Sequence, residues 1–269
     1  MTFAPAQLDL SYWQKAKQPL FTDLAWNLPE RKTGRVAVLG GNSQSFSTPV
    51  RISEYLARQF PIQTVATLLP DALRPKLPPL PNLTFFPSTA SGSFDRSPAL
   101  RAALADPDAA LFIGDLSKNS ATTIALAEAI RPIPSPLLVL ARDSLDALAP
   151  EAGNWLNRDH LIIVASLLQL QKLLHTIYYP RMIMLSQPLV PALETLHKFT
   201  LSYPVTLCTF HQGQIITAHQ GQVITTPLEL TTYSPLTLWS GQLAANILAL
   251  NLYNPSHPLE ATTAALTYA

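Results

Sequence analysis

The chain has 269 residues, with 18 basic and 17 acidic side chains and a formal net charge of +1. Charged residues make up 13% and hydrophobic residues 48%, a composition that excludes a disordered chain and gives no strong field for nucleic acid or an anionic membrane. The 25 prolines and 9 glycines reverse the usual order of ~5% and ~7%, which disfavours a site built from several glycine loops.

The opening stretch MTFAPAQLDLSYWQKAKQ has no basic segment followed by an apolar run, so no signal peptide is expected. No apolar stretch approaches the ~20 residues of a membrane span. The expectation is a soluble, cytoplasmic protein. Arg35–Gly40 (RVAVLG) is a continuous β-branched run ending in glycine, as in a strand buried on both faces. Pro49–Phe60 has apolar residues near helical spacing, and Ile62–Leu69 is a second strand. Pro70–Pro87 is a proline-stiffened connection. Ala109–Gly114 predicts a third strand, followed by a helix over Asn119–Ile130 whose asparagine suits a cap. Strands are expected at Leu137–Ala141 and Leu161–Val164, and a helix at Leu167–His175.

The period then changes. Pro204–Thr209, Gln214–His219 and Gln222–Thr226 are short strands joined by two HQGQ turns, a meander rather than another βαβ unit. Cys208, the sole cysteine, rules out an internal disulfide and a zinc–cysteine cluster. Helices are expected at Leu238–Leu250 and Pro258–Tyr268. The order predicts one α/β domain over 1–269, three layers deep, with a mostly parallel sheet and an antiparallel edge.

The stretch Lys32–Pro70 resembles the opening of the NAD(P)H-hydrate dehydratases, a carbohydrate kinase family within the ribokinase-like superfamily. Gly40, Gly41 and Ser43 stand in that family's Gly-Gly-Ser loop with Asn42 inserted, and Phe46, Ser47 and Thr48 replace its Tyr-x-Gly-Ala. Of a later Gly-Pro-Gly-Leu-Gly turn only Gly114 and Leu116 remain, beside Asp115. Ala141–Leu148 is similar to Asp-Ala-Asp-Ala-Leu-Asn-Leu-Leu, with Asp143 and Leu145 matching. Ile162–Leu174 keeps an apolar frame but has Gln169 for a glutamate. The superfamily's Gly-x-Gly-Asp, an anion hole and general base at a helix start, falls on Leu238, Trp239, Ser240 and Gly241, and no carboxylate occurs between Glu229 and Glu260.

The resemblance implies a ribokinase-like fold and homo-oligomers. It also implies ATP- or ADP-driven dehydration of hydrated NADH or NADPH, should the site work. The changed positions favour instead a non-catalytic or repurposed pocket for a nucleotide-like small molecule, with no metal, no nucleic acid and no membrane. Candidate ligand-binding residues are Gly40, Gly41, Asn42, Ser43, Gly114, Asp115, Asp143, Ser240 and Gly241. The catalytic residues stay unassigned, and an active enzyme using Asp115 or Asp143 remains open. Read from the residues alone, Asp143 fits a helix N-cap, and Asp115 either caps the Asn119 helix or lines the pocket. Trp239 falls inside the Gly-x-Gly-Asp turn, so its bulk would fill the phosphate space. His211 and His219 form a weak metal pair, Ser166 and His160 a weak hydrolase pair, and Tyr178–Pro180 reads as core and turn.

Overall fold

The computed structural model describes residues 10–16, 28–131 and 137–268. Ten strands form one sheet: β1 (Trp13–Lys15), β2 (Thr33–Gly40), β3 (Ile62–Pro70), β4 (Leu83–Phe86), β5 (Ala109–Gly114), β6 (Leu137–Ala141), β7 (Leu161–Val164), β8 (Val205–His211), β9 (Gln214–His219) and β10 (Gln222–Pro227). Their spatial order is β1-β10-β9-β8-β7-β6-β5-β2-β3-β4. From β4 to β8 all neighbours are parallel; β9 runs antiparallel to both β8 and β10, and β1 closes the edge parallel to β10.

The helices are α1 (Ser47–Gln59), α2 (Pro98–Ala105), α3 (Ser120–Ile130), α4 (Asp143–Leu148), α5 (Leu167–Thr176), α6 (Leu189–Ser202), α7 (Gln242–Tyr253) and α8 (Pro258–Ala264). Side chains on a strand alternate between faces, and the two faces build two cores. Ala37, Leu39, Phe112, Leu140 and Ile163 pack with α2 to α6. Val38, Leu111, Val139 and Ile162 pack with α1, α7 and α8. The result is the expected three-layer α/β/α arrangement.

Several expected segments shift. The connection 70–87 contains a 3-10 turn at Asp71–Lys76 and the edge strand β4. The helix expected from Leu238 starts at Gln242, after a glycine in the left-handed region, and runs on to Tyr253. The last helix ends at Ala264, not Tyr268. Tyr178 is 90% exposed, whereas Tyr179 packs edge-on against Phe199.

Candidate functional site

The strand order places the crevice. The chain steps outward from β2 to β3 and β4, then returns to put β5 on the other side of β2. Ligands of open α/β sheets collect where the order reverses, beyond the carboxyl ends of the strands. Here the loops after β2 and β5 meet: Gly41 N–H donates to Gly114 O at 2.9 Å, and Asn42 Nδ2 donates to Asp115 O at 2.7 Å.

Asn42 makes the first loop self-sufficient. Its Oδ1 accepts from the N–H groups of Gln44 and Ser45 at 2.8 and 3.1 Å, while its own N–H donates to Ser45 O. Ser43 N–H donates to Gly92 O, and Lys76 Nζ donates to Ser43 O. Every amide from Gly41 to Ser45 is therefore engaged within the protein. A phosphate would find no free N–H there, although the glycine loop is intact.

At the end of β5, Gly114 sits at φ +91°, and a Cβ would lie 1.9 Å from Asp143 Oδ1. This close approach lets Asp143 reach across and accept from the N–H groups of Asp115 (2.9 Å) and Leu116 (3.1 Å). Asp143 thus clamps the β5 turn. It is the first residue of α4, whose N-cap is Arg142, so the expected capping role is corrected. Asp115 does not cap the following helix either; Asn119 does that with its own side chain. Both carboxylates instead belong to the crevice.

Arg142 was not among the residues singled out from sequence. It and Asp115 both hold positive φ, 56° and 58°, a strained state for side chains other than glycine that concentrates at functional sites. Their side chains pair at 3.2 Å, with Asp115 9% and Arg142 28% exposed. Asp115 Oδ2 and Arg142 Nε are buried and have no hydrogen-bond partner. Gln169 donates to Arg142 O at 2.7 Å and fixes that backbone. The signal for Arg142 was its place just beyond a strand's carboxyl end, beside Asp143.

The start of α7 forms the opposite wall. Gly241 is its N-cap at φ +97° and carries no side chain to cap the helix, where only Gln242 N–H finds a side chain, Ser240 Oγ at 3.4 Å. A Cβ there would stand 3.0 Å from Ile113 Cδ1, so the helix docks tightly on β5. Two guanidinium groups converge on the peptides just before it: Arg142 donates to Trp239 O at 3.1 Å and Arg51 to Ser240 O at 2.8 Å. Trp239 itself lies in the turn ahead of the helix and packs against the α1/α7/α8 core. One turn further along α7, Asn246 accepts from Tyr55 OH at 2.8 Å and donates to Tyr233 OH at 2.6 Å. Burial pushes the Tyr233 phenol up, so it is neutral at physiological pH.

The nine residues picked from sequence thus all border one edge, at the ends of β2 and β5, in the loops that follow them and at the starts of α4 and α7. The other groupings dissolve. Ser166 follows β7 and caps α5, whereas His160 precedes β7, so a strand separates them. His211 pairs with Gln214 and His219 with Thr206. That puts the two histidines on opposite faces, five positions or roughly 17 Å apart along the ladder. Among the described residues no group of three His, Cys, Asp or Glu is placed to hold a metal ion.

No family model and no curated protein matches the chain. Solved structures do. A ribokinase-like superfamily protein from Enterococcus faecalis superposes with a TM-score of 0.66 at 15% identity, covering 96% of this chain and 86% of that one. A Streptococcus mutans protein described as hypothetical gives 0.61 at 16%, covering 91% and 85%. The ADP/ATP-dependent NAD(P)H-hydrate dehydratase of Bacillus subtilis, co-crystallised with ATP and Mg2+ and soaked with CoA, gives 0.55 at 15%, covering 92% and 84%. The fold is ribokinase-like.

Proposed function

From a ribokinase-like sheet whose crevice is walled by arginines, we propose that this protein binds a phosphate-bearing, nucleotide-like small molecule and transfers no phosphoryl group. The observation that carries the reading is the start of α7. Its uncapped amides carry the positive end of the helix dipole, and Arg51 and Arg142 converge beside them. Asp143 is spent on two backbone amides and Asp115 on Arg142. The donors left over are the α7 amides after Gln242, whose own N–H donates to Ser240 Oγ, together with Arg142 Nε and the remaining N–H groups of Arg51. The leftover acceptor is Asp115 Oδ2, suited to a ligand hydroxyl. A molecule with a phosphate and a hydroxyl complements both.

Phosphoryl transfer asks for more: a base on the attacking hydroxyl and donors around the moving phosphoryl. The chain has no acidic residue between Glu229 and Glu260, so α7 begins without one. Loss of a base costs ~10²–10⁴ in rate, and each lost anion-hole donor ~10²–10³.

ATP, ADP, NADH and NADPH, each tested for a shift in thermal unfolding, decide whether the crevice binds. A ligand at a hundred times its Kd adds ~2.7 kcal/mol of stability. Arg51→Ala with Arg142→Ala should abolish the shift. No shift with any of the four removes the reading. One observation favours a second reading, an active ADP/ATP-dependent NAD(P)H-hydrate dehydratase: Asp115 keeps one oxygen free, whereas both oxygens of Asp143 are engaged. ATP-dependent dehydration of hydrated NADH, lost in Asp115→Ala, would establish that reading and overturn the first.

A further inference from the structure

At the opposite edge of the sheet, below the amino end of β7, lies a second cavity of about 480 Å3. Its titratable lining comes from three places: Asp159 and His160 ahead of β7, His219 at the end of β9, and His257 and Glu260 at the start of α8. The neighbouring β8, β10 and α7 contribute Thr206, Gln222 and Asn251, none of which titrates. Leu137, Ile162 and Pro204 supply apolar wall. The described lining holds no lysine and no arginine.

Asn251 is the independent sign of a ligand. It is 2% exposed and lines the cavity, with its amide nitrogen donating to Ile247 O and Thr262 Oγ1. Its Oδ1 accepts nothing. A buried acceptor without a donor costs free energy until something supplies one.

We infer that this cavity binds a small organic cation, an aliphatic diamine or triamine, through its ammonium groups. The argument is complementarity of donors and acceptors. Asp159 and Glu260 are acceptors only, Asn251 offers a vacant carbonyl oxygen, and α7 ends beside Asn251 with the negative end of its dipole. The His219 imidazole adds a lone pair. Burial holds the His219 imidazole below its ordinary value, against the pull of Glu260 in the other direction, which keeps it neutral at physiological pH. An ammonium donates in three directions and needs such partners, while its methylene chain suits the apolar wall. The volume falls within the ordinary range for small-molecule sites, roughly 300–1,000 Å3. This site is separate from the arginine-walled crevice, and neither needs the other.

Calorimetric titration with putrescine and spermidine tests it, with succinate as the anion of matched length and glucose as the neutral polyol. Saturable binding of the amines alone is expected, together with shifts of the imidazole resonances in NMR spectra. Glu260→Gln should weaken putrescine roughly tenfold or more, and so should the exposed Asp159→Asn, which guards against a folding defect in the first variant. Affinity should fall as pH drops from about 7.5 to about 5.5, because a protonated His219 repels the amine. Absence of saturable amine binding at millimolar concentration overturns the inference. So does succinate binding as tightly as putrescine, or unchanged affinity in both folded variants.

Discussion

The crevice depends on single residues in ways that substitution can separate. Gly114→Ala places a methyl group against Asp143 Oδ1 and demands a positive φ from a residue with a Cβ. Destabilisation of about 2 kcal/mol or more is expected in urea unfolding. Asp143→Ala removes the acceptor for two amides and should cost about 1–3 kcal/mol by the same measurement. Asp115→Asn releases Arg142 from its ion pair, so anion affinity in the crevice should rise, at a cost in stability because the pair is largely buried. If Asp143→Ala proved neutral, the clamp across the β5 turn would be no structural requirement. Cys208 illustrates a residue with no such part: burial raises its thiol to about 12. Its thiol should resist an aromatic disulfide reagent at pH 8 until the chain is unfolded; rapid reaction of the native protein would contradict its 2% exposure.

The elements show which signals a sequence carries. Buried parallel strands read as unbroken apolar runs, so Ala109–Gly114, Leu137–Ala141 and Leu161–Val164 are legible to the residue. Helix α5 announces itself through Ser166 and Gln169, whose side chains form a reciprocal capping box. Ser166→Ala should cost about 1 kcal/mol, measured by thermal unfolding; a neutral result would mean the box contributes nothing. β1 and β4 are edge strands of only three and four residues, too short to show a pattern, and α6 lies between prolines that obscure its start at Leu189. Gly40 and Gly114 were visible because they end strands, whereas Asp143 and Gly241 came from the family resemblance. Arg142 was not visible, because its meaning comes from Asp115 and Trp239, 27 and 97 residues away. Loop amides fully occupied by Asn42 are likewise a property of the folded backbone, invisible to any motif.

At the scale of the molecule, scarce charge shapes the response to solution conditions. Of the described ion pairs, Arg142–Asp115 alone has both partners less than a third exposed. Exposed pairs contribute little and are screened, so the melting temperature should change little between low salt and roughly 0.5 M sodium chloride. A large loss on adding salt would mean that these pairs carry the stability. Acid acts differently. Because burial depresses the folded His219 value, its contribution is complete above the ordinary imidazole value and declines as pH falls through it. A His219→Gln variant should lose less stability than the parent between about pH 7 and about pH 5.

The pairing of β1 with β10 also sets an order of events. Trp13 Nε1 donates to Thr225 Oγ1 across 212 positions of chain. During synthesis that first strand emerges long before its neighbour exists, and it must wait beside the ribosome exit while the rest of the sheet assembles. The outermost seam of the sheet is therefore sewn last, and a nascent chain halted before β10 would leave Trp13 accessible to quenchers of its fluorescence.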